Sequence, residues 1–185
     1  MRDRKFSRKT WFFLIIAVVL TLATVFITQV TSFTIVSGNS MLPTLGDSDR
    51  YLVQRRFYTL SHGDIVVIDK SHFADNGESI KGDSVIKRVI GLSGDELRFD
   101  TENGVIYRNG AALEVAQSDG VWREAGYTIS GLTYDKKDLP ETVTVPYGCI
   151  FVLGDNRGNS EDSRNSNVGM VGENWVIGKV LFRVN

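Results

Sequence analysis

Three short stretches of this 185-residue chain carry side chains suited to covalent hydrolysis. The first is VSGNSMLPTL, Val36 to Leu45, in which Ser40 sits among Gly, Asn, Met and Pro. A serine hydroxyl is a weak nucleophile until a neighbouring base removes its proton, so the chain must supply that base. Its two histidines, His62 in SHGD and His72 in SHFAD, lie in polar, turn-like sequence that suits an exposed imidazole with no special duty. A Ser-His-Asp triad stays open on these residues.

The second stretch, SVIKRVIGL from Ser84 to Leu92, offers an amine instead. Lys87 stands in the middle of an otherwise apolar strand, where it either snorkels to water from an edge together with Arg88 or is buried for a reason. Alternation along a strand puts Val85, Lys87 and Val89 on one face and Ile86, Arg88 and Ile90 on the other. Of the two cations only lysine can act as a base, because a guanidinium stays protonated while an ammonium in apolar surroundings can give up its proton. At its reference pKa of ~10.4 a lysine is neutral less than about one part in a thousand at pH 7, so a base here requires desolvation. The third stretch, GDNRGNSEDSR from Gly154 to Arg164, is denser in Asp, Asn, Ser and Arg than a turn requires. It reads either as a solvated loop with Asp155, Asn156 and Asn159 on local backbone, or as a network that pairs Asp162 with Arg164 and sets Ser160 to orient a buried amine.

These stretches need a scaffold, and apolar runs of strand length supply one. RYLVQRR, GDIVVID, SVIKRVIGL, ELRFD, GVIYRNG, TVTVPYG, CIFVLGD and WVIGKVLFRV are bounded by Gly, Asp, Asn and Pro, which predicts a mainly β domain with turns at the GD and NG pairs. A short helix is expected only in RNGAALEVA, Arg108 to Ala116. The more polar region at about 98–147 is expected to be an inserted subdomain.

Ahead of this domain, WFFLIIAVVLTLATVFITQV, Trp11 to Val30, is long enough at ~1.5 Å per residue to cross a hydrocarbon core of ~30 Å. Its late polar residues Thr21, Thr24 and Thr28 can bond their own helix backbone. The run exceeds the apolar part of a cleaved secretory signal and lacks an Ala-x-Ala-like triplet after it, so a retained anchor is expected. Arg2, Arg4, Lys5, Arg8 and Lys9 outweigh Asp3 in residues 1–10, which predicts a cytoplasmic tail, an anchor at 11–30 and an extracytoplasmic domain at 31–185 in the cell membrane.

Composition narrows the partners. With 21 Lys+Arg against 22 Asp+Glu, no global field favours nucleic acid. Cys149 is the one cysteine and has only His62 and His72 for company, so neither an internal disulfide nor a metal centre is expected.

Taken in order behind an apolar N-terminal segment, SGNSMLPTL, GDIVVI, IKRVIGLSGD and GDNRGNSEDSR resemble the motifs of the bacterial type I signal peptidases, which use a Ser-Lys dyad. The resemblance covers about 36–164. It implies a β catalytic core with an inserted β region, Ser40 as nucleophile and Lys87 as general base. It further implies that Ser160 orients the lysine amine, that Asp162 and Arg164 form a supporting ion pair, and that Asp155 holds the loop. Exported preproteins cut after small-x-small sites would be the substrates, the membrane lipid a neighbour, and the enzyme a monomer without metal or organic cofactor. Val36, Met41, Leu45 and Ile86 would line the substrate pockets, although each suits an ordinary core equally well.

Two positions depart from patterns common in the family. Gly38 stands where some members have a serine whose hydroxyl is an oxyanion donor. The Ser40 backbone N–H remains available, and a Gly38 backbone donor or a water is the expected substitute. Ser93 replaces a common proline, which should alter loop stiffness more than chemistry. Two rivals remain: an inactive relative serving as an assembly factor, which would usually lose Ser40 or Lys87, and a self-cleaving repressor, which would need a DNA-binding region where this chain has its apolar run.

Overall fold

The computed structural model describes residues 8–73, 84–100, 105–116, 122–124 and 140–184. Helix α1 (Arg8–Val30) begins three residues before the expected start and buries no side chain in the rest of the protein. The Thr21 and Thr24 hydroxyls donate to the carbonyls of Ala17 and Leu20, both at 2.8 Å, and Thr28 donates to Val25 O at 2.9 Å. Their polarity is thereby satisfied within the helix. The basic tail through residue 7 lies outside the described residues.

The chain passes without a gap from α1 into β1 (Thr31–Ile35), which pairs antiparallel with β2 (Arg50–Gln54). The further strands are β3 (Ile65–Asp69), β4 (Ser84–Gly91), β5 (Glu96–Asp100), β6 (Val105–Arg108), β7 (Ala111–Ala112), β8 (Glu114–Ala116), β9 (Trp122–Glu124), β10 (Thr142–Thr144), β11 (Cys149–Leu153), β12 (Val171–Gly172) and β13 (Val176–Arg183). A seven-stranded sheet runs β1-β2-β13-β3-β4-β11-β12, and a four-stranded sheet runs β10-β5-β6-β7. All pairings are antiparallel. The protein is mainly β, with one N-terminal helix long and apolar enough to span a membrane.

Strand β4 is interior, hydrogen-bonded to β3 on one side and β11 on the other. Lys87 and Arg88 therefore do not snorkel from an edge, and both are buried. The expected alternation holds, with Val85 and Val89 in one apolar cluster and Ile86 and Ile90 in others, but the last five residues of β4 are all buried, so it separates two covered faces and not a core face from a wet one. One apolar cluster, with Val66, Ile68, Val89, Ile150 and Val152, fills the centre of the large sheet. A second, with Ile90, Leu97, Phe99, Ile106, Phe151 and Leu153, joins that sheet to the smaller one.

The helix expected in RNGAALEVA does not form. Asn109 and Gly110 take positive φ of 52° and 83°, which closes a two-residue hairpin between β6 and β7, and Glu114–Ala116 is β8. The turn dipeptide, not the alanines, decides the local structure. Of the region expected as an insertion, the described residues form the small sheet and the β8–β9 pair; residues 101–104, 117–121 and 125–139 lie outside them.

Candidate active site

Ser40 sits in the turn between β1 and β2, and its loop is tied at several points. Val36 N–H donates to Asp49 O, Ser48 N–H returns to Val36 O, and Leu45 N–H closes on Met41 O. Beneath the loop, Val36, Met41 and Leu45 pack with Tyr51, Ile65, Ile86 and Val180. The four residues expected to line pockets thus share one cluster. Val36, Met41 and Leu45 are almost wholly closed to solvent, and only Ile86 is partly open.

Lys87 reaches this loop from the middle of β4, and its Nζ donates to Ser40 Oγ at 2.9 Å. Only 3% of the residue is exposed. Burial pushes its pKa below the ordinary lysine value; the carboxylates of Asp162 and Glu161 pull it back up, while Lys70 and Arg164 push it further down. Burial dominates. Neither histidine hydrogen-bonds Ser40: His62 Nε2 pairs with Asp95 Oδ2 at 2.6 Å, and the His72 ring stacks on Trp175.

The third stretch follows β11 and closes over the same place. Asp162, wholly buried, accepts from Arg164 Nε at 2.7 Å and Nη2 at 3.0 Å and from the Gly154 N–H at 2.9 Å. Arg164 Nη2 also donates to Arg157 O at 2.8 Å. A buried pair is tolerable only when its remaining hydrogen-bonding capacity is met, and here backbone groups meet it. Asp155 accepts from Arg88 Nε at 2.8 Å and Nη2 at 2.6 Å. The same guanidinium donates to Gly63 O, so the loop is latched to β4 and to the turn before β3.

Ser160 is placed differently from expectation. Its hydroxyl oxygen is buried with no hydrogen-bond partner among the described residues, so it does not bond Lys87 in this structure. It lies against Gly154, where an added Cβ would collide with Ser160 Oγ and come within 2.5 Å of Ser40 O. The oxyanion expectation divides. Gly38 N–H is already committed to Asp47 Oδ1 at 2.8 Å, whereas Ser40 N–H donates to no described residue.

Three contributors escaped the sequence reading. Arg88 is the partner of Asp155, and its place beside Lys87 in an apolar strand was the available signal. Asn156 donates its backbone N–H to Ser40 O at 2.9 Å and its Nδ2 to Asn39 O at 3.0 Å, gripping the nucleophile loop. Gly154 matters for its missing side chain, which leaves no trace in composition.

Comparison with known proteins places the chain in a family. The family described as signal peptidase, peptidase S26, matches residues 8–185. Signal peptidase IB of Staphylococcus aureus is 36% identical over 162 residues, covering 83% of this chain and 77% of its own length. Signal peptidase I U of Bacillus subtilis is 34% identical over 183 residues, covering 94% of this chain and 87% of its own. A solved signal peptidase I from Enterococcus faecalis aligns with 69% of this chain and 100% of that one, at 28% identity and a TM-score of 0.44.

Proposed function

The chain belongs to the signal peptidase family, the S26 serine peptidases that cleave signal peptides, and on that premise we propose that it does so with a Ser40–Lys87 dyad while anchored in the membrane by α1. The observation that carries the reading is the 2.9 Å contact between Ser40 Oγ and a lysine amine whose burial favours its neutral form.

The neutral amine accepts the Ser40 hydroxyl proton as Oγ attacks the carbonyl carbon on the signal-peptide side of the scissile bond. The carbon–nitrogen bond breaks, and the lysine ammonium returns its proton to the departing amine of the mature chain. A water, deprotonated by the same amine, then attacks the ester; the bond from Ser40 Oγ to the acyl carbon breaks, the ammonium returns its proton to Oγ, and the signal peptide leaves with a new carboxylate. The uncommitted Ser40 N–H is one donor for the oxyanion. Gly38 can be a second only by releasing Asp47, so a water or another backbone group completes the pair. Asp162, Arg164 and Asp155 position the loop that carries Ser160, whose buried hydroxyl packs against Gly154. Substrates are exported preproteins with small residues at the first and third positions before the cut. Val36, Met41, Leu45 and Ile86 form the wall behind that selection.

The proposed arrangement places residues 1–10 in the cytoplasm and residues 31–185, with the dyad and an inserted subdomain at about 98–147, on the outer side as a monomer. Ser40→Ala and Lys87→Ala are each expected to abolish cleavage of an Ala-x-Ala preprotein while leaving the far-ultraviolet circular dichroism spectrum unchanged. Normal processing by either variant rules out the dyad.

A further inference from the structure

A cleft of about 340 Å³ opens where the two sheets meet, away from the Ser40–Lys87 contact and using none of its residues. Its walls are His62 and Gly63 from the turn before β3, Ile90 from β4, and Arg108, Ala111, Ala112 and Leu113 from the β6–β7 hairpin and its exit. Ligand sites favour such seams between subdomains, and the volume falls in the range for small molecules.

The cleft is cross-braced. Asp95 Oδ2 accepts from His62 and from the Leu92 N–H at 2.7 Å, and its Oδ1 accepts from Asn109 Nδ2 at 2.8 Å. Asn109 is the hairpin's own turn residue, and its Oδ1 accepts from the Glu96 N–H. The hairpin is therefore pinned to the core across the cleft. Arg108 spends Nη1 on Ile90 O at 2.8 Å, and its remaining guanidinium N–H groups have no partner among the described residues. None of the lining residues is acidic. Asp95, the neighbouring acid, has both oxygens occupied.

A guanidinium with no counter-ion among the described residues, set above an aliphatic floor, suits an anion joined to a small apolar body. We propose that this cleft is a second binding site, taking the free C-terminal carboxylate of a short apolar peptide on Arg108 and its small side chains against Ile90, Ala112 and Leu113. The choice of a peptide end rests on the proposed function, since each turnover releases a signal peptide ending in a small residue and a new carboxylate. The cleft has room for a few such side chains, and not for a whole apolar signal segment. It also has a route to the nucleophile, because Gly63 O is held by Arg88, Arg88 by Asp155, and the next residue, Asn156, grips Ser40 O.

The test is calorimetric titration of the full-length chain in detergent with N-acetyl-Ala-Leu-Ala as its free acid and as its amide, and with octanoate. Saturable binding of the acid is expected, weakened at least about tenfold in the amide. Arg108→Gln should weaken the acid to a similar degree. Ala112→Glu, on an exposed strand, should do the same by presenting its own carboxylate to an intact Arg108. Lys87→Ala should bind as the parent does, and loss in Arg108→Gln, which touches none of Val36, Met41, Leu45 and Ile86, separates this cleft from the substrate pockets. Equal affinity for acid and amide, unchanged binding in both cleft variants, or loss of binding in Lys87→Ala would overturn the proposal; so would octanoate binding where the tripeptide does not. Preprotein cleavage, measured separately, decides the dyad and is not needed for this result.

Discussion

A lysine can serve as a base near neutral pH only if its charge is held at a disadvantage, and Lys87 has that disadvantage built in by burial. Cleavage should accordingly rise with pH along a limb that lies below the ordinary lysine value. The neighbouring charges make the assignment testable in both directions. Exposed Glu161 raises the lysine pKa, so Glu161→Gln should move the limb to lower pH; Lys70 lowers it, so Lys70→Met should move the limb up. Each displacement should be a fraction of a pH unit and shrink with added salt. Failure of both to move kcat/KM profiles assigns the limb to another group. Stability follows the same linkage. Between the lowered folded value and the unfolded value the unfolded chain binds more protons, so stability rises with pH across that window. The penalty is fully present below it. Lys87→Met, inactive but close in shape, should therefore melt a few degrees higher than the parent at neutral pH, as followed by circular dichroism.

Elements fix how closely these groups approach, and the loop after β11 has little tolerance. Gly154→Ala would drive a methyl into Ser160 Oγ and Ser40 O, and the nucleophile must shift to admit it. A displacement of about 1 Å can cost about 10²-fold in rate, so kcat should fall by at least that much while the melting temperature changes modestly. A variant of parental activity would show that the loop is looser than its packing. Arg88 and Asp155, 5% and 7% exposed, pose a different question. Arg88→Met strands a buried carboxylate and should cost about 3–5 kcal/mol in denaturant titration. Adding Asp155→Leu should recover much of it, as the ion pair is a latch and not part of the chemistry. At this scale the sequence was readable where strands are long and flanked by Gly or Asp, as in β3, β4 and β11. It was not readable in β1, where TSFTI continues the apolar and hydroxyl run of α1 and only pairing with β2 turns it extended. Nor could it show that β4 is covered on both faces, so that both alternating sets are buried, which is why Arg88 was missed. Ser93 shows the same limit. In place of the common proline, its hydroxyl accepts from Gly148 N–H and donates to Glu173 Oε1, a tie across 80 positions that no local pattern announces.

Over the whole molecule, the side of the large sheet nearest α1 is unusually apolar for a water-facing surface. In register across three strands, Phe33 of β1 and Phe182 of β13 flank Leu52 of β2, and the two rings are 69% and 58% exposed. Phe57, just past β2, stacks on Phe26 of α1 with ring centroids 6.1 Å apart. The Phe57 stack and the direct entry of α1 into β1 attach the sheet to the helix at two points. A contiguous apolar face of this kind marks an interaction surface. On the proposed arrangement its partner is the lipid beside the anchor, which would hold the sheet close to the bilayer where a preprotein's cleavage site emerges. The contribution to rate is then one of placement, and it should vanish when placement no longer matters. Phe33→Glu with Phe182→Glu, both on the open face and remote from the dyad contacts, should slow cleavage of a preprotein embedded in the same liposomes by about tenfold, since each buried ring is worth about 1.5–3 kcal/mol and only part of that is realised at an interface. The same double variant should cleave a soluble signal-peptide substrate in detergent at the parental rate. Equal loss in both assays would mean that the rings support the fold, and no loss in liposomes would mean that the anchor alone sets the position of the active site.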